Sequence, residues 1–294
     1  MLHKIISIGS WALIILLFMQ PGIAHKGAVE GMRIFTTALL PYLLPYLVIT
    51  QMFIRSQNSF LKTKNKFKLY LNIYLLSAIG GFPSGAAIIS SLKEMGTLTN
   101  RNASWLIAIC HAPSPMFVIG FVGIDIFNAE IAGLKLLLII HIVNLLFLLV
   151  FIIRSPAIQT NIETVKFSSS PFQESIKETS QILLLIGTTV VFFTTVSIIV
   201  FESVKEVLPN LSPLLLVFVA SFFEMTGGIS LSGEILSGNE FLPVIVALII
   251  AFSGISIHMQ IIVLAQKAGI SIRRYIVFRF LHIIIIPILF YFFA

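Results

Sequence analysis

A cluster of helix-breaking residues lies in the middle of an apolar segment, residues 69–92. The cluster has the sequence Gly-Gly-Phe-Pro-Ser-Gly and occupies residues 80–85. Glycine and proline end a regular helix there, and broken backbone inside a bilayer exposes unpaired N–H and C=O groups. Such a break is tolerated only where protein or a water-filled cavity surrounds it. The segment therefore predicts either a solute site or a kinked helix that packs tightly on a neighbour.

Ser84 is expected to cap a second helix that begins near Gly85. The free N–H groups and the dipole at such a helix start favour an anion. Basic residues flank the segment on both sides, with Lys68 before it and Lys93 after it. The segment therefore predicts a re-entrant hairpin, because each arm has roughly 10 residues and a full span needs about 20.

The composition indicates that the rest of the chain also lies in a membrane. Of the 294 residues, 57% are hydrophobic and only 11% are charged, whereas soluble domains carry about 25% charged residues. We predict an all-α polytopic membrane protein. The basic net charge requires no nucleic-acid partner, since Lys and Arg collect in cytoplasmic loops.

Common catalytic motifs are missing from the sequence. It lacks the His-Glu-x-x-His, Walker and Gly-x-Ser-x-Gly patterns, so no enzyme activity is expected. The single cysteine, Cys110, forms no intrachain disulfide and fits no metal spacing. We expect no cofactor and no metal, apart from a coupling proton or cation. The expected partners are a small-molecule solute and membrane lipids, and a homo-oligomer is left open.

Three further apolar segments are interrupted in the same way. The breaks are residues 111–115 (His-Ala-Pro-Ser-Pro), 224–228 (Glu-Met-Thr-Gly-Gly) and 253–256 (Ser-Gly-Ile-Ser). Uninterrupted spans are predicted at residues 5–19, 33–54, 131–153, 179–200 and 275–293. The first of these is interpreted as a membrane helix, with a cleaved signal peptide as the alternative.

The second half of the chain repeats the order of the first. Phe82 and Phe223 are 141 positions apart, as are His141 and His282. Basic residues flank the first hairpin, whereas acidic residues flank the second. If the N-terminus is placed in the cytoplasm, most of the 19 Lys and Arg residues fall in cytoplasmic loops. These features predict an inverted-topology repeat with re-entrant hairpins and broken helices, which is a transporter pattern. The predicted units are an N-terminal membrane helix and external loop (1–29), a first repeat (30–153), a cytoplasmic linker with an interfacial helix (154–178) and a second, inverted repeat (179–294).

Four motifs occur in the order found in a known family. They are Gly-Phe-Pro-Ser-Gly-Ala at residues 81–86, the prolines at 113 and 115 after His111, Glu-Met-Thr-Gly-Gly at 224–228, and Arg279-x-x-His282. In this combination the chain resembles the Gate-domain ("nucleoside recognition") membrane proteins, and is most similar to their sporulation (SpoVV-type) branch. The resemblance runs from about residue 30 to the end, so it implies that both repeats are Gate-type repeats.

The resemblance implies a transport function in a bacterial cell membrane, for which the outer forespore membrane is one option. Its sporulation branch is implicated in moving dipicolinic acid across the outer forespore membrane during endospore formation. We therefore expect a secondary carrier or facilitator of a small polar, anionic solute such as dipicolinic acid. The alternatives are a nucleoside transporter and a non-transporting membrane scaffold of a sporulation complex.

The four breaks and their neighbours supply the candidate solute-binding residues. Glu224 is the only acid predicted deep in the membrane; it would bind a proton, a cation or the solute, or be satisfied by N–H groups of its own hairpin. Arg279 would face an anion or Glu224, or snorkel to the cytoplasmic face. His111 and His258 would titrate, or remain buried and neutral. The full set is Gly81, Phe82, Pro83, Ser84, Gly85, His111, Pro113, Ser114, Pro115, Glu224, Thr226, Gly227, Gly228, Ser253, Gly254, Ser256, His258 and Arg279.

Overall fold

The computed structural model describes residues 2–56, 63, 65–155, 170–208 and 210–293. Over these ranges the chain is mostly helical and contains no β-strand, which confirms the all-α prediction. The helices are α1 (Leu2–Met19), α2 (Pro21–Arg33), α3 (Leu40–Arg55), α4 (Lys66–Gly80), α5 (Ser84–Glu94), α6 (Asn100–Ile109), α7 (Glu130–Arg154), α8 (Pro171–Val207), α9 (Pro213–Phe223), α10 (Met225–Ile235), α11 (Leu242–Phe252), α12 (Gly254–Lys267) and α13 (Arg273–Phe293). Two π-helical segments, Ile34–Leu39 and Met116–Ile126, precede α3 and α7. Residues 57–62, 64 and 156–169, from the predicted basic loop and linker, lie outside the described ranges.

Within the described ranges, four helical segments are long and apolar enough to cross a membrane: α7, α8, the joined pair α11–α12 and α13. They coincide with the spans predicted at residues 131–153, 179–200 and 275–293 and with the interrupted apolar segment that contains the break at residues 253–256. A fifth candidate exists if α1 and α2 are taken together, although the pair is bent by 103°. These apolar helices support an integral membrane protein.

The region after the first helix differs from its prediction. Residues 21–29 were expected in an external loop, but they lie in α2. Pro21 stands in the first turn of this helix, where its missing N–H group costs nothing. The span predicted over residues 33–54 is divided, because the π-helical segment ends at Leu39 and α3 begins at Leu40.

A Gly-x-x-x-Gly pattern brings α2 against α8. A Cβ atom on Gly27 would lie 2.8 Å from the Cα atom of Thr195, and one on Gly31 would lie 2.7 Å from the Cα atom of Val191. Small residues four apart on one helix face allow two backbones to approach closely, which is a common device between membrane helices. The long helix α8 is thereby held along the N-terminal helices.

Contacts between the two halves of the chain close one end of the molecule. Ser90 of α5 donates to the Leu264 carbonyl oxygen of α12 over 3.0 Å, and Ser104 of α6 donates to the Ser271 carbonyl oxygen over 2.6 Å. At the same end Glu178 of α8 forms ion pairs with Arg55 and Lys267. The opposite ends of α5, α6 and α12 point to the middle of the molecule, where the chain is broken.

Candidate functional site

The first hairpin turns between α4 and α5. Gly81 has φ +67°, a backbone conformation that favours glycine. A Cβ atom on Gly81 would lie 2.3 Å from the backbone nitrogen of Ser114. The hairpin tip therefore packs directly on the break at residues 111–115, and a side chain at position 81 would separate them.

The prediction that Ser84 caps α5 is wrong. Pro83 occupies the N-cap position, and Ser84 is the first residue of the helix. The Ser84 hydroxyl instead donates to the Gly81 carbonyl oxygen over 2.5 Å, which closes the turn. Gly85 faces protein, since a Cβ atom there would lie 2.8 Å from the Cys110 carbonyl oxygen.

Glu224 forms the tip of the second hairpin, between α9 and α10. Its buried carboxylate accepts hydrogen bonds from the backbone N–H groups of Thr226, over 3.0 Å, and Gly227, over 2.6 Å. A carboxylate at a helix start is also stabilised by the helix dipole. Of the two interpretations of Glu224, the geometry is that of a carboxylate satisfied by its own hairpin. The N–H groups of Thr226 and Gly227 are consequently engaged and do not offer a free anion site.

A left-handed turn separates α11 from α12. Ser253 and Gly254 both have positive φ, at +75° and +66°. A Cβ atom on Gly254 would lie 3.0 Å from the backbone nitrogen of Met225. This break therefore rests on the tip of the second hairpin, as the break at residues 111–115 rests on the first.

Side-chain contacts at His111 link two breaks of the first half to each other and one of them to the second half. The rings of Phe82 and His111 stack with their centroids 4.8 Å apart. His111 Nε2 lies 3.1 Å from the hydroxyl oxygen of Ser253. Together with the two contacts at the hairpin tips, they bring all four predicted breaks into one continuous cluster.

A cavity of about 350 Å³, which we call the central cavity, opens between the two hairpin tips. Its volume lies at the lower end of the range of small-molecule sites, roughly 300–1,000 Å³. Five predicted site residues line it, namely Phe82, Pro83, Ser114, Glu224 and Thr226. Both halves of the chain thus contribute to its wall.

Three polar residues of the central cavity were missed by the sequence analysis: Thr37, Asp125 and Gln260. Gln260 could have been found, because it follows the predicted Ser256 by four residues and shares its helix face. Its amide nitrogen donates to the Thr189 hydroxyl oxygen of α8 over 2.9 Å. Thr37 and Asp125 gave no local signal, since each reaches the cavity from a π-helical segment.

A second cavity of about 490 Å³, which we call the vestibule, adjoins the central cavity. The two cavities share four lining residues, namely Thr37, Phe121, Glu224 and Thr226. Gly227 lines the vestibule but not the central cavity. The outer wall of the vestibule carries charged side chains, from Lys26, Glu30, Arg33, Glu202 and Glu234. The hairpin tips are therefore connected to a charged surface.

The described lining of the central cavity carries acidic charge only. It includes Glu224 and Asp125, and no Lys, Arg or His. Phe82, Phe117 and Phe121 supply flat apolar walls. Such a lining accommodates an uncharged or cationic solute, because a dianion would meet carboxylates and no facing base.

Arg279 and His258 lie away from the central cavity. Both line a separate cavity of about 220 Å³ together with Tyr275. Arg279 is only 5% exposed, so it does not snorkel to a surface. In the described part of the chain it forms no ion pair with Glu224, whose oxygens bond to backbone amides.

The other predicted residues build the cluster rather than the cavity wall. Gly228, for example, closes the second hairpin, because a Cβ atom there would lie 2.5 Å from the Cα atom of Ser221. The predicted residues that line none of the three cavities are Gly81, Ser84, Gly85, His111, Pro113, Pro115, Gly228, Ser253, Gly254 and Ser256.

No family model, curated protein or solved structure matches the chain. Among the described residues, no group of three or more His, Cys, Asp or Glu side chains is arranged to hold a metal ion.

Proposed function

We propose that the protein is a membrane transporter or facilitator of a small polar solute, which binds in the central cavity. The observation that carries the proposal is the meeting of four backbone breaks within a bundle of apolar helices. Broken backbone at membrane depth is stable only inside protein or around a cavity. In secondary transporters, breaks of this kind surround the solute.

An inverted repeat would explain why the breaks meet. The helices α5 and α10 are both 11 residues long, and their first residues, Ser84 and Met225, are 141 positions apart. The same offset relates the two halves of the sequence. On this proposal α4–α5 and α9–α10 are re-entrant hairpins from opposite faces, and the N-terminus is cytoplasmic. The arrangement supports the Gate-type architecture that the motifs resemble.

The lining of the central cavity favours an uncharged or cationic solute with a flat apolar face. Phenylalanine rings can stack on such a face, while Gln260 and Glu224 can form hydrogen bonds at its edge. A nucleoside has this character, and we propose it as the first candidate solute. The descriptive name of the Gate-domain family that the motifs resemble, "nucleoside recognition", refers to the same solute class.

Dipicolinate is the second candidate. The resemblance to the sporulation branch supports it, and the vestibule offers Lys26 along the approach, together with Arg33, which is paired with Glu30. Its two carboxylates would, however, face Glu224 and Asp125 in the central cavity. Binding of the dianion therefore requires that Glu224 be protonated or neutralised by a cation.

Uptake into proteoliposomes tests the proposal. We expect saturable uptake of labelled uridine, measured with and without imposed pH and sodium gradients, and weaker uptake of labelled dipicolinate. Gln260→Ala should reduce uridine uptake by up to about tenfold, the value of one lost hydrogen bond. Gln266→Ala is the matched control, because Gln266 is exposed on the same helix.

Two outcomes separate the alternatives. If folded protein carries neither solute under any imposed gradient, the transport proposal is wrong and the non-transporting scaffold remains. If dipicolinate is carried faster than uridine, the solute assignment is wrong while the transport function stands.

A further inference from the structure

Arg279 is a buried cation without a counter-ion in the described part of the chain. Its Nε and Nη2 atoms have no hydrogen-bond partner there, and no carboxylate lies within ion-pair distance. The titratable groups that interact electrostatically with it are His111, His258, Tyr275 and His282. Histidine is either neutral or cationic and a protonated tyrosine is neutral, so none of them supplies a negative charge. An unpaired buried guanidinium is strongly unfavourable. The described part of the chain therefore supplies no anion for this site.

The guanidinium borders a cavity of about 220 Å³, which we call the Arg279 pocket. Its polar wall is Arg279, His258 and Tyr275, and its apolar wall includes Phe280 and Ile283. The Arg279 guanidinium carbon lies 5.7 Å from the centroid of the Tyr275 ring, a cation–π contact that leaves the N–H donors unsatisfied. The Tyr275 hydroxyl is fixed by a 2.7 Å hydrogen bond to His258 Nδ1.

We propose that the Arg279 pocket binds an amphiphilic anion. The carboxylate or phosphate of the ligand pairs with Arg279, because the planar guanidinium matches an oxyanion with two parallel hydrogen bonds. The body of the ligand is apolar, because the remaining walls are aromatic and aliphatic side chains. A bare inorganic anion would leave those walls unfilled.

An anion of this chemistry can come from the bilayer or from water. Phe280 and Ile276, which line the pocket, are 65% and 44% exposed. They lie on α13, one of the helices able to cross a membrane, so the mouth of the pocket faces the surface that such a helix presents to lipid. A fatty acid would enter by this route, and a short aromatic carboxylate would enter from water. The pocket shares no lining residue with the central cavity, so the inference stands apart from the proposed transport function.

Native mass spectrometry of the full chain in detergent tests the inference, with sodium oleate, methyl oleate and sodium benzoate as probes. We expect one oleate to bind and methyl oleate, which has the same chain without the charge, not to bind. Arg279→Gln should weaken oleate binding by about tenfold or more, the value of a charged hydrogen-bonded pair. Arg279→Lys should bind oleate with intermediate affinity, because lysine keeps the positive charge but cannot donate two parallel hydrogen bonds to one oxyanion. Arg101→Gln, at an exposed arginine of α6, is the control and should change nothing.

The three probes identify the source of the ligand, and one further variant tests the pocket if Arg279→Gln does not fold. Binding of oleate alone assigns the ligand to the bilayer, and binding of benzoate as well assigns a pocket open to water. If Arg279→Gln does not fold, Ile283→Trp carries the test, because it fills the pocket and retains the cation; it should exclude the probes. Equal binding of oleate and methyl oleate, equal binding by Ile283→Trp and the unmodified chain, or no binding of either anion would overturn the proposal.

Discussion

His111 Nε2 lies 3.1 Å from the hydroxyl oxygen of Ser253, and this contact joins the broken segments of the two halves. The Ser253 hydroxyl donates to the Ile250 carbonyl oxygen over 2.9 Å, so its oxygen is left to accept from the imidazole. The ring of Phe82, in the first hairpin, stacks on the His111 imidazole. The His111 imidazole therefore contacts both the first hairpin and the last break. A movement of one half relative to the other would change at least one of these two contacts.

Removal of the Glu224 side chain should destabilise the second hairpin. Glu224→Ala leaves two buried N–H groups without an acceptor, and we expect a loss of about 2 kcal/mol, the upper end for a helix cap. Unfolding of the detergent-solubilised protein by heat or denaturant measures the change. Glu234→Ala is the control, because Glu234 is exposed on the same helix. Equal destabilisation by the two variants would contradict the capping role.

Glu224→Gln separates the structural role from a coupling role. The amide keeps one acceptor oxygen, so about half of the capping energy should remain, or about 1 kcal/mol. If Glu224 exchanges the coupling proton, this variant should still bind solute and should transport it without responding to a pH gradient. Proteoliposome uptake at equal protein abundance, with and without the gradient, measures the response. An unchanged response would exclude Glu224 as the coupling group.

Gly81→Ala and Gly96→Ala separate backbone strain from packing. Both glycines have positive φ, at +67° and +77°, but only Gly81 has a close neighbour, the Ser114 nitrogen. Gly96→Ala should therefore cost about 1 kcal/mol, the penalty of the left-handed conformation. Gly81→Ala should cost about 3 kcal/mol or more, because the hairpin tip must also move off the break. Similar unfolding midpoints for the two variants would show that the tip does not pack on Ser114.

The approach of α2 to α8 should tolerate no large side chain. Gly31→Leu would push the leucine into the backbone at Val191, whereas a Cβ atom on Gly22 of the same helix has nothing within 4 Å. We expect Gly31→Leu to destabilise the protein by about 3 kcal/mol and Gly22→Leu to change it by less than about 0.5 kcal/mol. Thermal unfolding followed by size-exclusion chromatography compares them. A stable, monodisperse Gly31→Leu variant would contradict the helix contact.

The ion pairs of Glu178 should contribute modestly, in a salt-dependent way. Its carboxylate lies 3.0 Å from Lys267 and 3.7 Å from Arg55, and its side chain is 20% exposed, whereas the Glu174 side chain is 50% exposed and pairs with Arg55 alone. We expect Glu178→Gln to cost about 0.5–1 kcal/mol at low salt, and Glu174→Gln less, because exposed pairs are screened. Both differences should disappear near 1 M salt, where the Debye length is about 3 Å. A loss that persists at high salt would indicate packing and not charge.

Hydropathy and helix-breaking residues determined the outline of this protein. Three of the predicted spans and one predicted interrupted segment correspond to helices that can cross a membrane, and each predicted break falls where a helix ends. This information is local, since glycine and proline act through the backbone within a few residues. The helix over residues 21–33 was missed because polar residues in a short segment resemble a loop.

The composition of the site was decided by the tertiary structure. In a membrane helix the lipid-facing and the buried residues are both apolar, so hydropathy does not tell one face from the other. On α13 it could not distinguish buried Phe278 from exposed Phe280, and it could not show that Arg279 faces a pocket of its own. The sequence identified Glu224 as an exceptional buried acid, but it did not show whether the carboxylate binds the solute or its own hairpin. That depended on the directions of the backbone N–H groups of Thr226 and Gly227. Long-range packing sets those directions, because each break is held by contacts with a segment far away in the chain.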